Sequence, residues 1–177
     1  MFLKTPESRL QQTTSLISTT PPTMKTHILL ATFLTVMIPT ALHAMELPFP
    51  TTTDFPSAVA QAKSEKKTIF LAFLSSGCSH CQALKKSVLD TPAFASFAKA
   101  NLVSVVFDYE ELDALTEAQQ SKLSELETTF EMQGFPTIVL LNPDGTVLLK
   151  SAGYGGSSAE EVIALFKERI RARSTQR

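Results

Sequence analysis

Two rhythms of apolar residues follow one another along the chain, and their order predicts its architecture. Phe55, Ala58, Val59 and Ala62 recur at helical spacing behind the capping stretch Thr51–Asp54 and stop at Lys66 and Lys67. That spacing predicts an amphipathic helix. Thr68–Leu74 is a continuous apolar run bounded by Ser75, Ser76 and Gly77, the pattern of a strand buried on both faces. It leads directly into Cys78.

From Cys81 onward, Leu84 and Val88 resume helical spacing, Thr91 and Pro92 interrupt it, and Phe94, Phe97 and Ala98 take it up again. Leu102–Phe107, rich in Val and ending at Asp108, predicts a second buried strand. After an acidic segment, Thr116 to Gln119 has capping-box form, and Leu123, Leu126 and Phe130 give the next helix one apolar edge. Its acids Glu117, Glu125, Glu127 and Glu131 are expected to form a solvated face rather than a metal site.

Thr137–Leu141 and Thr146–Lys150 flank Asn142, Pro143, Asp144 and Gly145, a turn sequence that predicts a β-hairpin. Gly153, Gly155 and Gly156 loosen the chain before Ser158 to Glu161 cap a last helix carrying Val162, Ile163, Phe166 and Ile170. Its basic end, with Lys167, Arg169, Arg171 and Arg173, suits the negative helix terminus. The order helix, strand, helix, strand, helix, strand, strand, helix implies a mixed sheet covered by helices. No internal repeat interrupts it.

The N-terminal region has a different character. Met24, Lys25, Thr26 and His27 lead into the apolar run Ile28–Ile38, then Pro39 and Ala41, Leu42, His43 and Ala44. A basic start, an apolar stretch and small residues at its end read as an export signal, with cleavage expected after Ala44. The apolar run is too short for a bilayer, which needs roughly 20 residues. Contact with a membrane is therefore expected only if the segment stays uncleaved. Residues 1–23 are rich in Thr, Ser and Gln, and translation is expected to begin at Met24, with a long leader from Met1 as the alternative. Residues 45–177 then form one domain located in the periplasm or secreted.

Composition narrows the partners. The chain has 177 residues, 44% of them hydrophobic and 19% charged, within the range of one globular domain. A net charge of -1 gives no reason to expect nucleic acid. The two cysteines, Cys78 and Cys81, and a single histidine, His80, lie beyond Ala44. These are too few ligands for an ordinary zinc site, so no metal is expected. A purely structural disulfide remains an alternative.

Placed at a helix N-terminus, Cys78 would have unpaired backbone N–H groups and the positive end of the helix dipole nearby, both favouring a thiolate. Cys78 is the expected nucleophile. Cys81, one turn on, is placed to attack a mixed disulfide at Cys78 and release the substrate. An imidazolium or N–H donor at His80 would favour the Cys78 thiolate further, against the alternative of a solvent-facing ring. Ser79 and Gly77, on either side of Cys78, are grouped with His80 as residues that tune the pair.

Several stretches together carry a resemblance: Ala62 to Lys67, the strand into Cys78-Ser79-His80-Cys81, Val88 to Pro92, Gly134-Phe135-Pro136-Thr137 and Asn142 to Gly145. From about Asp54 to Ile170 the chain resembles the thioredoxin superfamily, in particular its exported thioredoxin-like domains. The resemblance implies an α/β fold, a thioredoxin-like three-layer α/β/α sandwich with a mixed central sheet. It further implies a cis bond before Pro136, facing the two cysteines, and a substrate-binding edge at Phe135, Pro136 and Thr137.

The chain also departs from thioredoxin. It has Gly77 where thioredoxin has Trp before the first cysteine, and Ala72 where thioredoxin has a buried acid that assists proton transfer to the resolving cysteine. His80 before the second cysteine resembles the periplasmic disulfide oxidases, although their long helical insertion is missing. The expected activity is thiol–disulfide oxidoreduction on Cys-containing proteins outside the cytoplasm, with a redox partner protein and no flavin, nicotinamide or other cofactor. Direction stays open between oxidase and reductase. Isomerase is less expected, because no dimerisation region is found and a monomer is anticipated. The rival class is a non-catalytic peptide-binding or redox-sensing module using the Phe135–Pro136 edge.

Overall fold

The computed structural model describes residues 45–174; the expected export signal, its expected cleavage after Ala44 and the expected start at Met24 lie outside them. The elements are β1 (Thr51–Thr52), α1 (Phe55–Glu65), β2 (Thr68–Leu74), α2 (Ser79–Leu84), α3 (Pro92–Asn101), β3 (Leu102–Asp108), α4 (Glu117–Thr129), β4 (Thr137–Leu141), β5 (Val147–Ala152) and α5 (Ala159–Ser174). A π-helical turn, Lys85–Leu89, continues α2, and a 3-10 turn, Leu112–Ala114, precedes α4. The sheet order is β1-β3-β2-β4-β5. Strands β1, β3 and β2 run parallel, while β4 is antiparallel to both β2 and β5. The sheet is mixed, as expected.

Because side chains of a strand alternate between faces, a run that is apolar throughout supplies two cores at once. Phe70, Ala72 and Leu74 of β2 join Ile138 and Leu140 of β4 on one face, packed against α2, the π turn, α3 and α5. Ile69, Leu71 and Phe73 join Val139, Leu141, Val103, Val105 and Phe107 on the other, packed against α1 and α4. The result is the three-layer α/β/α sandwich.

Local chemistry sets the element ends. Asp54 Oδ1 accepts from the Ser57 N–H at 3.1 Å to start α1, and Lys66 ends it in a left-handed conformation, φ 56°. At the interruption, Thr91 Oγ1 accepts from the Phe94 N–H at 3.2 Å and Pro92 takes the first turn of α3. The Asp90 N–H reaches the Lys85 carbonyl at 2.8 Å, the five-residue bond that makes the π turn. Both anticipated capping boxes form, at Thr116 with Gln119 and at Ser158 with Glu161.

Three local expectations need correction. Of the stretch Thr51–Asp54 only Asp54 caps; Thr51 and Thr52 are strand β1, pairing with Ser104 and Val105, and a two-residue strand has no periodicity to read. The second hairpin strand starts at Val147 and runs to Ala152, because Thr146 is held in the turn by a bond from its N–H to Asp144 Oδ1 at 3.0 Å. Glu127 is half-buried and accepts from the Tyr109 hydroxyl, so it does not belong to a purely solvated face.

Candidate active site

Strand β2 ends at Leu74, and the next three residues form a braced loop. The Cys78 N–H donates to the Ser75 carbonyl at 3.0 Å, and the Gln82 side chain donates back to the Ser76 carbonyl at 2.8 Å. From the neighbouring strand end, Asp108 Oδ1 accepts from the Ser76 N–H at 2.9 Å, and Glu110 Oε1 accepts from Ser75 Oγ at 3.0 Å. Gly77 packs closely here, since a Cβ on it would lie 2.9 Å from Glu110 Oε1. Two acids from the end of β3 thus hold the loop that presents Cys78.

Cys78 is the N-cap of α2, in extended conformation and half-buried, and its carbonyl accepts from the Gln82 N–H at 3.0 Å. Cys81 is fully buried, in the same apolar cluster as Ala72 and Leu84. Both thiols are free. The environment pushes them apart. The Cys81 backbone N–H, above all, holds the Cys78 thiol below its ordinary value; burial opposes this, while the Cys81 thiol and the His80 backbone N–H assist. Burial pushes Cys81 up to about 11; the Ser75 N–H opposes, and the bond to Cys78 and the charges of Cys78 and Asp108 add to the rise. One sulfur is thereby suited to attack and the other to wait as a thiol.

The Phe135–Pro136 peptide bond is cis, as the resemblance implied, and the Phe135 carbonyl lies 3.9 Å from Cys78 Sγ. Phe135 is half-buried, with the Tyr109 ring edge-on to it at 4.5 Å between centroids. Pro136 is buried and its carbonyl is taken by the Gly153 N–H at 2.7 Å. Thr137 is fully buried and donates its hydroxyl to the Gly134 carbonyl at 2.7 Å, so it closes the turn and offers no side chain to a ligand. The edge facing Cys78 is therefore Phe135 with Pro136 beneath it.

Ser79, His80 and Gly77 are all exposed. The His80 backbone N–H is among the groups that favour the Cys78 thiolate. Sequence reasoning passed over Asp108, Glu110 and Tyr109. For Asp108 a signal was available: a carboxylate ends a strand that is apolar but for Ser104, in phase with the core residue Val106.

A family model described as a thioredoxin-like domain matches residues 55–170. The chain belongs to that family. Among curated proteins, a disulfide bond reductase named DsbH from Chlamydia pneumoniae is 28% identical over 110 residues, covering 62% of this chain and 66% of that protein, just under two thirds of its length. Among solved structures, a DsbH oxidoreductase superposes with a TM-score of 0.59 at 22% identity, over 71% of this chain and 85% of the other. At that identity the superposition shows the fold alone.

The thioredoxin-like geometry makes a pH prediction. A lowered pKa keeps Cys78 as thiolate at pH values where a free cysteine, with a pKa of about 8.5, is protonated. In pH-resolved alkylation followed by mass spectrometry, Cys78 should reach half its maximal rate at lower pH than Cys81. Cys81 should stay unmodified until pH approaches about 11. Two thiols titrating together would contradict the division of labour.

Proposed function

We propose that this thioredoxin-like protein is a thiol–disulfide oxidoreductase acting on protein cysteines outside the cytoplasm, with Cys78 attacking and Cys81 resolving. The carrying observation is the contrast between the half-buried Cys78 thiol, favoured as thiolate beside the Phe135 carbonyl, and the buried, proton-retaining Cys81 one turn away. An extended substrate segment laid along Phe135 and Pro136 would bring its disulfide to Cys78. The stretch Met24–Ala44, which reads as an export signal, supports action in an oxidising compartment, where substrates with disulfides occur.

The direction we assign is reduction of substrate disulfides. The Chlamydia pneumoniae relative is named a reductase, and Cys78 is favoured here by backbone N–H groups and the Cys81 thiol, without the His80 ring among the causes. A strongly oxidising pair would need a more stabilised reduced form. A reductant needs a supply of electrons, so a redox partner protein is part of the reading. Redox titration of the purified chain in glutathione buffers, following both thiols by alkylation, tests it. A potential near about -270 mV is expected; one near about -120 mV would make the protein a donor of disulfides. A pair that cannot be cycled would overturn the oxidoreductase reading.

A further inference from the structure

Among the acids of α4, Glu117 and Glu125 are exposed, whereas Glu127 is half-buried and accepts from the Tyr109 hydroxyl. The pair joins three parts of the chain. Tyr109 directly follows β3, and its N–H donates to the Leu74 carbonyl at 3.0 Å, carrying the pairing of β2 with β3 past the strand end. Leu74 is the residue from which the chain turns through Ser75–Gly77 to Cys78. The Tyr109 ring meets Phe135 edge-on at 4.5 Å between centroids. Glu127 also anchors the segment leading to Phe135, because its carbonyl accepts from the Met132 N–H at 2.9 Å.

Tyr109 is thereby fixed at both ends, by its main chain against β2 and by its hydroxyl against α4, with the ring between them. Phe135 packs at the margin of both apolar clusters, and its carbonyl lies 3.9 Å from Cys78 Sγ. Apolar contact is non-directional and leaves a half-buried ring several ways to pack, whereas a hydrogen bond selects one direction. Burial first, then the bond to Glu127 and its charge, push the Tyr109 hydroxyl up, so it stays a donor over the pH range of thiol exchange.

We propose that Glu127 is a positioning residue: by holding the Tyr109 hydroxyl it sets the ring on which Phe135 rests, and so fixes the edge along which a peptide substrate lies beside Cys78. The inference rests on the oxidoreductase reading and deepens it, since it makes the site select extended peptides over small disulfides. The pair acts through Phe135 and carries no proton or electron of the exchange. An acid that only secured α4 to the sheet would change unfolding and leave this selection alone.

The test compares two substrates with the same reacting bond, a disulfide between a cysteine and a coloured aromatic thiol. In one the cysteine stands within an extended peptide; in the other it is a single capped residue. The reduced full chain meets each in turn, and the readout is the ratio of the two rate constants for thiolate release, peptide over single residue. Because one sample meets both, any loss of folded protein cancels. Wild type should favour the peptide. In Tyr109→Phe, which keeps the ring and loses the hydroxyl, the ratio should fall roughly tenfold, within the reach of a slightly misplaced positioning group. Glu127→Leu should fall alike, and Glu127→Gln, which keeps an oxygen to accept the bond, should retain most of the preference. The double variant Tyr109→Phe with Glu127→Leu should lie no lower than either single one, because both remove the same bond. It also leaves no stranded carboxylate, so a preference regained there would trace the Tyr109→Phe deficit to an unpaired acid and overturn the proposal. A Tyr109→Phe ratio equal to wild type, or a wild type without preference for the peptide, overturns it too. A wild type that releases thiolate from neither substrate faster than free cysteine does would instead overturn the oxidoreductase reading itself.

Discussion

Cys78→Ser is expected to abolish disulfide exchange, and Cys81→Ser to stop it half-way. Serine at 78 keeps the N-cap and its backbone bonds to Ser75 and Gln82, since these use main-chain atoms. It does not supply a thiolate. Without the nucleophile, turnover of a peptide disulfide should fall by more than about a thousandfold, to the uncatalysed rate. Cys81→Ser leaves the attacking sulfur in place but removes the bond that would displace it, so mixed disulfides between Cys78 and substrate should accumulate. The pair of variants is read by gel shift and mass spectrometry of trapped species, which would also identify the substrates. A Cys78→Ser protein with full biological activity would favour the binding module over the enzyme.

The positions of the two cysteines at the strand end and on the helix could be read from sequence because they depend on position along the chain. The apolar run Thr68–Leu74, the small residues after it and the helical spacing from Cys81 leave little freedom for where Cys78 stands. The same holds for the hairpin turn and the interruption at Pro92. What could not be read depends on contacts between elements distant in sequence. Strand β1 exists because β3 has a free edge, and nothing within Thr51 and Thr52 announces this. Glu127 has the local setting of a surface acid, and is drawn inward by Tyr109, which stands 18 positions earlier in the chain.

The site shows the same division. The sequence marked Ala72 as a place where thioredoxin has an acid, and left the resolving cysteine without a proton acceptor. The fold sets Asp108 one strand over and two residues further along, with Leu74 opposite it and Val106 opposite Ala72. Pairing register, which the sequence does not display, decides that this carboxylate ends its strand beside Leu74. At His80, where adjacency in sequence suggested a tuning ring, the backbone N–H is among the groups that favour the Cys78 thiolate, and the residue is exposed.

Phe94→Ala should cost more stability than any other single truncation of the helix layer behind Cys81. Phe94 is fully buried at the start of α3, immediately after the interruption, and its ring meets four others: Phe49 at 5.6 Å, Phe70 at 6.0 Å, Phe166 at 6.1 Å and Phe97 at 6.3 Å between centroids. Those four come from the N-terminal segment, β2, α5 and α3, so one ring ties the sheet to three other parts of the chain. Removing it loses the transfer energy of a whole aromatic side chain and leaves a hole lined by rings that cannot all close in, a loss of about 3–5 kcal/mol. With a urea slope of about 1–3 kcal/mol/M, the unfolding midpoint should drop by more than about 1 M, with the slope unchanged. Phe94 touches neither the Ser75–Gly77 loop nor the Phe135 edge through any of these ring contacts. Below the new midpoint, the alkylation rate of Cys78 and its pH dependence should therefore match wild type. A loss of Cys78 reactivity in parallel with stability would mean that the aromatic cluster also sets the position of α2, beyond holding the layer together.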